Sequence, residues 1–244
     1  MMHNLALVAK LVGNPDEALA LFLESLAHAR RMGDVGGEAL ILANIGILYG
    51  ERGDNASAMA QLRAGLAICE AHGIVSTRAL ILANLTAGAI REHDFAAAER
   101  YAQSAVEIAR ATGNAYVVSY MNMQFTRIAL GRGDVAAARG LLREALEVAV
   151  TLTRPAVVFE GIACFAEVLA ASGAADCARA VLALIAGHDL ANAPMREEAR
   201  RKRDELPAPP REIAWPGITL DELAHRVVNE TDLAYAPLIA ALRS

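Results

Sequence analysis

Aromatic residues make up only 5% of this 244-residue chain, although 55% of it is hydrophobic. A core built from so few rings must come from Ala, Leu, Val and Ile, which favours closely approaching helices over a sheet padded with aromatics. Cysteine is nearly as scarce: Cys69, Cys164 and Cys177 are an odd trio that excludes a disulfide framework and fits a reducing compartment. Concentrated positive charge is missing too. The net charge is −5, and the densest basic run, Arg196 to Arg203, is interleaved with Glu197 and Glu198. That composition reads as a solvated helix face with i,i+4 ion pairs, not as a phosphate-binding surface, so no direct nucleic-acid contact is expected. Apolar runs are interrupted by Asn, Gly or charge before they reach the length of a membrane span, and the N-terminus has no basic segment leading into an apolar one. The expectation is a cytoplasmic protein without membrane contact.

Catalytic patterns are equally thin. The six histidines are dispersed, and there is no GxGxxG, no phosphate loop and no GxSxG elbow. Cys69 and His72 stand at i,i+3, but two ligands without a nearby second pair make no metal site. Cys164 and Cys177 read as buried thiols on facing helices of one repeat. Glu160 and Glu167 share a helix face, which is usually just a polar wall. The chain is therefore expected to be no enzyme and to need no cofactor or metal.

What is present is repetition. The hexapeptide ALILAN occurs at 39–44 and again at 79–84, forty residues on. Gly falls at 13, 33, 53, 73, 113, 133 and 173, and His93 and Thr153 fill the gaps on the same twenty-residue grid. Most grid positions precede Asn or Asp, as in Gly33-Asp34, His93-Asp94 and Gly133-Asp134. Gly closes a helix in the left-handed conformation, and the following carboxylate or amide caps the next one. Asn14-Pro15-Asp16-Glu17 adds proline at the first helical position and a Glu placed for a capping box, and Pro155 opens a helix in the same way. Between turns the apolar spacing is helical, as in Leu42, Ile45, Gly46 and Tyr49. Two ladders confirm the period: Ala18, Ala58, Ala98, Ala138 and Ala178, then Ser25, Gly65, Ala105, Ala145 and Ile185.

Leu42 to Gly50, followed by Arg52-Gly53-Asp54, resembles the first helix of tetratricopeptide repeats of the long, kinesin-light-chain-like class. Such repeats are also common in the C-terminal regions of bacterial signalling ATPases and transcriptional activators. The resemblance implies an all-α, right-handed solenoid of about five forty-residue hairpins, covering residues 1–206. Asn122 departs from the pattern, standing where an apolar residue is expected, and Thr153 replaces a turn glycine.

The two ends differ from the middle. Met1 to Val12 is shorter than the other helices and starts inside the motif, so the chain either lacks an N-terminal cap or begins within a longer array. An uncapped end is a surface for self-association or domain contact. Residues 192–206 read as a charged amphipathic helix. Residues 207–244 read as a linker and helical cap folded on the last repeats, or as a tail docking on another protomer. Pro207 to Pro210 breaks the helix, and Ile213, Trp215 and Ile218 are apolar points in the linker. Thr219 to Glu222 is a capping box opening a helix to about Asn229, and a last helix is expected from Asp232 to Leu242.

The position that closes ALILAN recurs as Asn4, Asn44, Asn84, Gln124 and Cys164. It lies off the face carried by Leu42, Ile45 and Tyr49. In the family the first helices line a concave surface, so the resemblance implies that these amides face a groove. An amide both donates and accepts, and can pair with a peptide backbone whatever its side chains. Leu40, Ile47, Leu80 and Tyr120 would add burial, and Arg91 and Arg127 would choose an acidic group. The expected function is capture of an extended protein or peptide segment, in bacterial signalling or transcriptional regulation. A plainer alternative is that each amide satisfies a neighbouring helix or a water and sets register only. A second function is an assembly module joining protomers as a homo-oligomer, and a third is an enzyme using the groove as a pocket.

Overall fold

A computed structural model describes residues 2–152, 154–208 and 219–229. Thr153, Pro209, Pro210, Ile213, Trp215, Ile218 and the helix expected over 232–242 lie outside the described residues. Among those described the structure is helical, without strands, an all-α solenoid of repeats in which the helices of residues 2–111, and again those of residues 115–205, each pack on the next helix in the chain. It forms two compact units, residues 1–111 and 112–244.

The first unit holds three hairpins: α1 (Met2–Leu11) with α2 (Pro15–Met32), α3 (Val35–Glu51) with α4 (Asn55–His72), and α5 (Val75–Arg91) with α6 (Phe95–Ala111). The turns between these helices follow the twenty-residue grid. Its glycines take φ between 66° and 84°, and His93, in the same slot, takes φ 57°, a left-handed conformation that side chains other than Gly seldom adopt. Asp34, Asp54 and Asp94 each accept a hydrogen bond from the backbone N–H three residues on, at 2.9, 3.0 and 2.9 Å. Asn14 departs from the expected cap: its amide donates to Glu17 Oε2 at 3.3 Å and makes no cap to the backbone.

Close approach explains the small-residue ladders. Ala18, Ala58, Ala98, Ala138 and Ala178 are all buried. A Cβ on Gly46 would lie 2.7 Å from Leu62 Cγ and 3.1 Å from the Ala58 carbonyl oxygen, so α3 and α4 meet at a bare backbone. The same repeat position carries Thr86 and Thr126, both buried. Their hydroxyls donate to the carbonyls of Leu82 at 2.8 Å and Asn122 at 3.0 Å, which satisfies them within the helix. Phe22, Leu26, Ile41, Leu42, Ile45 and Leu48 build the core between the first two hairpins.

The second unit holds α7 (Ala115–Gly131) with α8 (Val135–Ala149) and α9 (Pro155–Ala171) with α10 (Ala175–Gly187), then α11 (Ala193–Glu205) and α12 (Leu220–Asn229). Asn114, Asp134 and Asn192 cap α7, α8 and α11 at 3.2, 2.9 and 2.9 Å. α12 opens on a reciprocal capping box, with Thr219 N–H donating to Glu222 Oε2 at 2.8 Å and Glu222 N–H to Thr219 Oγ1 at 3.2 Å. α11 packs on α10, and Arg179 of α10 donates to the carbonyls of Arg203 and Leu206 at its end, at 2.6 and 3.0 Å. α12 turns back onto α8 and α9, burying Leu223, Ala224 and Val227 in the core of Leu146, Phe165 and Leu169. Each of its two larger side chains contributes about 1.5–3 kcal/mol by leaving water.

Two glycines give a paired test of this packing. A Cβ on Gly161 would strike the fully buried Leu146 and sit 3.1 Å from Met123 Cε, whereas one on Gly140, inside α8, meets nothing within 4 Å. Gly161→Ala is expected to destabilise the fold by about 1–3 kcal/mol. Gly140→Ala is expected to stabilise it by about 0.5–1 kcal/mol. Urea denaturation of the two variants measures both.

Candidate functional site

Three columns run along the first helices at forty-residue spacing: Leu40, Leu80, Tyr120 and Glu160; Asn44, Asn84, Gln124 and Cys164; Ile47, Ala87, Arg127 and Glu167. The two units give these columns different chemistry.

In residues 1–111 the columns are apolar with amides between. Leu40, Asn44, Ile47, Asn84 and Ala87 are half-buried, Leu80 is more open, and Asn4 on α1 is exposed. Asn44 Nδ2 donates to the Leu40 carbonyl at 3.0 Å, and Asn84 Nδ2 donates to the Leu80 carbonyl at 2.8 Å. This shared bond fixes both side chains in one orientation. It uses one of each amide's two N–H donors and none of its acceptor capacity. Beside them Arg91 is exposed yet oriented: its Nε donates to Asn55 Oδ1 at 3.0 Å, while Asn55 Nδ2 donates to Glu92 Oε1 at 2.8 Å and to the Gly88 carbonyl at 3.2 Å.

In residues 112–244 the columns carry charge. The Arg127 guanidinium forks onto Glu167, with Nε to Oε2 at 2.9 Å and Nη2 to Oε1 at 3.2 Å, and its Nη1 donates to Glu160 at 2.8 Å. Lys202 reaches from α11 to Glu167 Oε1 at 2.7 Å. Burial alone would push the Glu167 carboxyl up; Arg127 and then Lys202 overturn that and hold it at about 2, against its usual 4.5. Cys164, beneath, is pushed up to about 12 by burial and by Glu167, so its thiol stays neutral. Its Sγ lies 3.7 Å from the Met123 carbonyl oxygen.

Two sequence expectations are corrected here. Gln124 stands in the amide column but is 1% exposed, with its Nε2 enclosed, so it presents nothing to a ligand. Arg127 is not free to select an acidic ligand, because Glu160 and Glu167 already neutralise it. Tyr120 is half-buried and stacks parallel to Tyr116, with ring centroids 6.4 Å apart, and the Arg154 guanidinium lies 5.4 Å from the Tyr116 ring centre. The basic run on α11 behaves as a solvated face through Arg201, paired with Glu198 and Glu205 at 2.7 and 2.6 Å, but Lys202 leaves that face for α9. The sequence reading missed this link. An Arg and a Glu in one column, one repeat apart, were its available signal.

Among the described residues no three His, Cys, Asp or Glu side chains gather as a metal site, and no helix is long and apolar enough to cross a membrane. Cys69, Cys164 and Cys177 are all buried free thiols.

Residues 1–71 match the tetratricopeptide repeat family model. The fold is similar to the crystal structure of BtubC (BKLC) from P. vanneervenii, with a TM-score of 0.61 and 20% identity, over 87% of this chain and 84% of that one. No curated protein matches the chain. The match to tetratricopeptide repeats thus lies in the first two hairpins, and the likeness over the rest of the chain is one of fold. Such repeats generally serve as scaffolds for protein–protein interaction and are typically non-catalytic.

The Arg127 cluster sets two expectations. Arg127→Met strands two carboxylates and should cost about 2 kcal/mol in urea denaturation, below the range for a fully enclosed pair because the cluster keeps some solvent access. A carboxyl held at about 2 when folded stabilises the protein above its usual 4.5 and loses that contribution as pH falls from there through about 2. Denaturation of wild type across that window should show the loss, and Glu167→Gln should flatten it.

Proposed function

We propose that the protein is a non-catalytic scaffold that holds an extended segment of a partner protein along α3 and α5. The observation that supports this most directly is the matched pair Asn44 and Asn84. Two half-buried amides, one repeat apart, are held alike by their own helices and keep an acceptor and a donor each. That is the pattern an extended backbone needs, since its carbonyls and N–H groups recur whatever its side chains. Leu40, Ile47 and Leu80 flank the amides and would bury the segment's apolar side chains. Asn4 extends the row at the exposed α1, and Arg91, fixed by Asn55, offers a cation beside Leu80 and Asn84 for an acidic residue. Extended surfaces of stacked repeats are commonly used this way.

The reading places capture on residues 1–111 and gives residues 112–244 a supporting part. There the equivalent columns spend their polar groups on one another through Arg127, Glu160, Glu167 and Lys202. Within residues 112–244, α12 covers α8 and α9 as a cap. A bacterial signalling or transcriptional regulator is the setting suggested by the repeat resemblance in the sequence.

Selection of displayed random peptides against the wild-type chain, followed by fluorescence polarisation of the winners, tests the proposal. The double variant Asn44→Ala with Asn84→Ala should bind about thirtyfold more weakly, as expected for two hydrogen bonds at about 1 kcal/mol each. Circular dichroism should be unchanged. Selected peptides that bind the double variant as tightly as wild type would remove the basis for the groove.

A further inference from the structure

The forty-residue repeat sets a contact between the C-terminal ends of neighbouring first helices. Lys10 of α1 meets Glu51 of α3 there, with Nζ to Oε1 at 2.9 Å. One repeat later the same two positions are Gly50 on α3 and Arg91 on α5. The contact is kept: a Cβ on Gly50 would lie 3.3 Å from Arg91 Nη2 and 3.8 Å from Ala58 Cβ. The charge on the following helix has changed sign, and the preceding helix has no side chain to answer it.

Neighbouring acids do not take that role. Glu51 is turned to Lys10, and Glu92 accepts from Asn55 Nδ2 at 2.8 Å. Arg91 Nε donates to Asn55 Oδ1, a neutral acceptor, at 3.0 Å. Asn55 is itself held, because its Nδ2 also donates to the Gly88 carbonyl at 3.2 Å. The guanidinium is thus aimed through Nε and laid beside the bare backbone of Gly50. Among the described residues no carboxylate pairs with its two terminal nitrogens. Those nitrogens form the planar edge that grips both oxygens of a carboxylate. A doubly charged phosphate would call for a second cation, but Lys10 and Arg52 are already paired with Glu51 and Asp16.

We infer that Arg91 determines the specificity of capture by requiring a carboxylate in the bound segment, on an Asp or Glu side chain or at the chain end. Gly50 keeps the place beside it open, and Asn55 is the positioning residue. The inference rests on the capture of a segment along α3 and α5 proposed above, and it states which chemistry that segment carries. The repeat itself supplies the argument. Where α1 and α3 meet, the counter-charge is built in; where α3 and α5 meet, glycine stands in its place and the cation is oriented without it.

Peptides selected against the wild-type chain, made with free and with amidated C termini, test this. Aligned winners should share a carboxylate at one constant place, and amidation shows whether it is a side chain or the chain end. Arg91→Gln should weaken these winners about fivefold, and neutralising the peptide carboxylate should weaken wild-type binding by about the same factor. The two changes together should cost no more than either alone, since they remove one interaction. Gly50→Asp supplies the counter-charge from within the chain. It should weaken the acidic peptide as Arg91→Gln does and bind the neutralised peptide as wild type does. Gly50→Ala, which asks only the tip of Arg91 to shift, should keep the preference. Asn55→Ala should lower the ratio of acidic to neutral binding and leave the neutral peptide unaffected. Circular dichroism should be unchanged throughout. Winners that depend on Asn44 and Asn84 but share no carboxylate overturn the inference and leave capture standing, and so do Arg91 and peptide effects that multiply. Winners indifferent to the Asn pair overturn capture itself and this inference with it.

Discussion

Two helices can approach only as near as the side chains between them permit, and here that separation is set by hydrogen atoms and methyl groups. Gly46 meets Ala58 and Leu62, Gly65 meets Ile81 and the Ala39 carbonyl, and Gly161 meets Leu146. Each contact brings a backbone against its neighbour with no lever arm in between. The dispersion gained this way is small per atom pair but accumulates along whole helices. It also makes the spacing of the first helices rigid, so residues on their other faces inherit a regular placement. A single large residue at one of these points would move a helix and every column residue on it.

That regular placement is used for opposite ends in the two units. On α3 and α5 the columns hold carboxamides among Leu and Ile, groups that keep unspent hydrogen-bonding capacity. On α7 and α9 the same positions hold Arg127, Glu160 and Glu167, which exhaust one another and take in Lys202 from α11. The repeat positions are common; the residues that fill each column decide whether its polar groups stay open or satisfy one another. The enclosed Gln124 marks the boundary, an amide in the right register with a closed surround.

Most of the fold was legible in the sequence because its signals are local. A turn residue every twenty positions, an Asp or Asn after it and a small residue at a fixed offset each act within a few residues, and all recur. His93 was readable as a glycine substitute for that reason, and Thr219 with Glu222 announced a helix start on their own. The site was legible only in part. Periodicity shows which residues share a column, and the structure leaves Asn44 and Asn84 half-buried in theirs. It does not show how deep a column lies or what a distant helix brings to it. Gln124 was misjudged for its depth, and Arg127 because the column alone did not pair it with Glu167, nor with Glu160 across columns, nor bring Lys202 in from α11. The missing cap at Asn14 is a smaller case, in which the amide gives its N–H to Glu17 and its oxygen accepts no backbone bond.

Packing between chain neighbours has a consequence for how the protein comes off the ribosome. In residues 1–111 each helix rests on elements no more than two away, so every hairpin finds its partners soon after it emerges. The second unit is ordered differently, because α12 returns to α8 and α9 and supplies Leu223, Ala224 and Val227 to their core. Its interior is finished only when nearly the whole chain has been translated. Nascent chains stalled before residue 220 would therefore carry a settled first half and a second half with part of its core still wet.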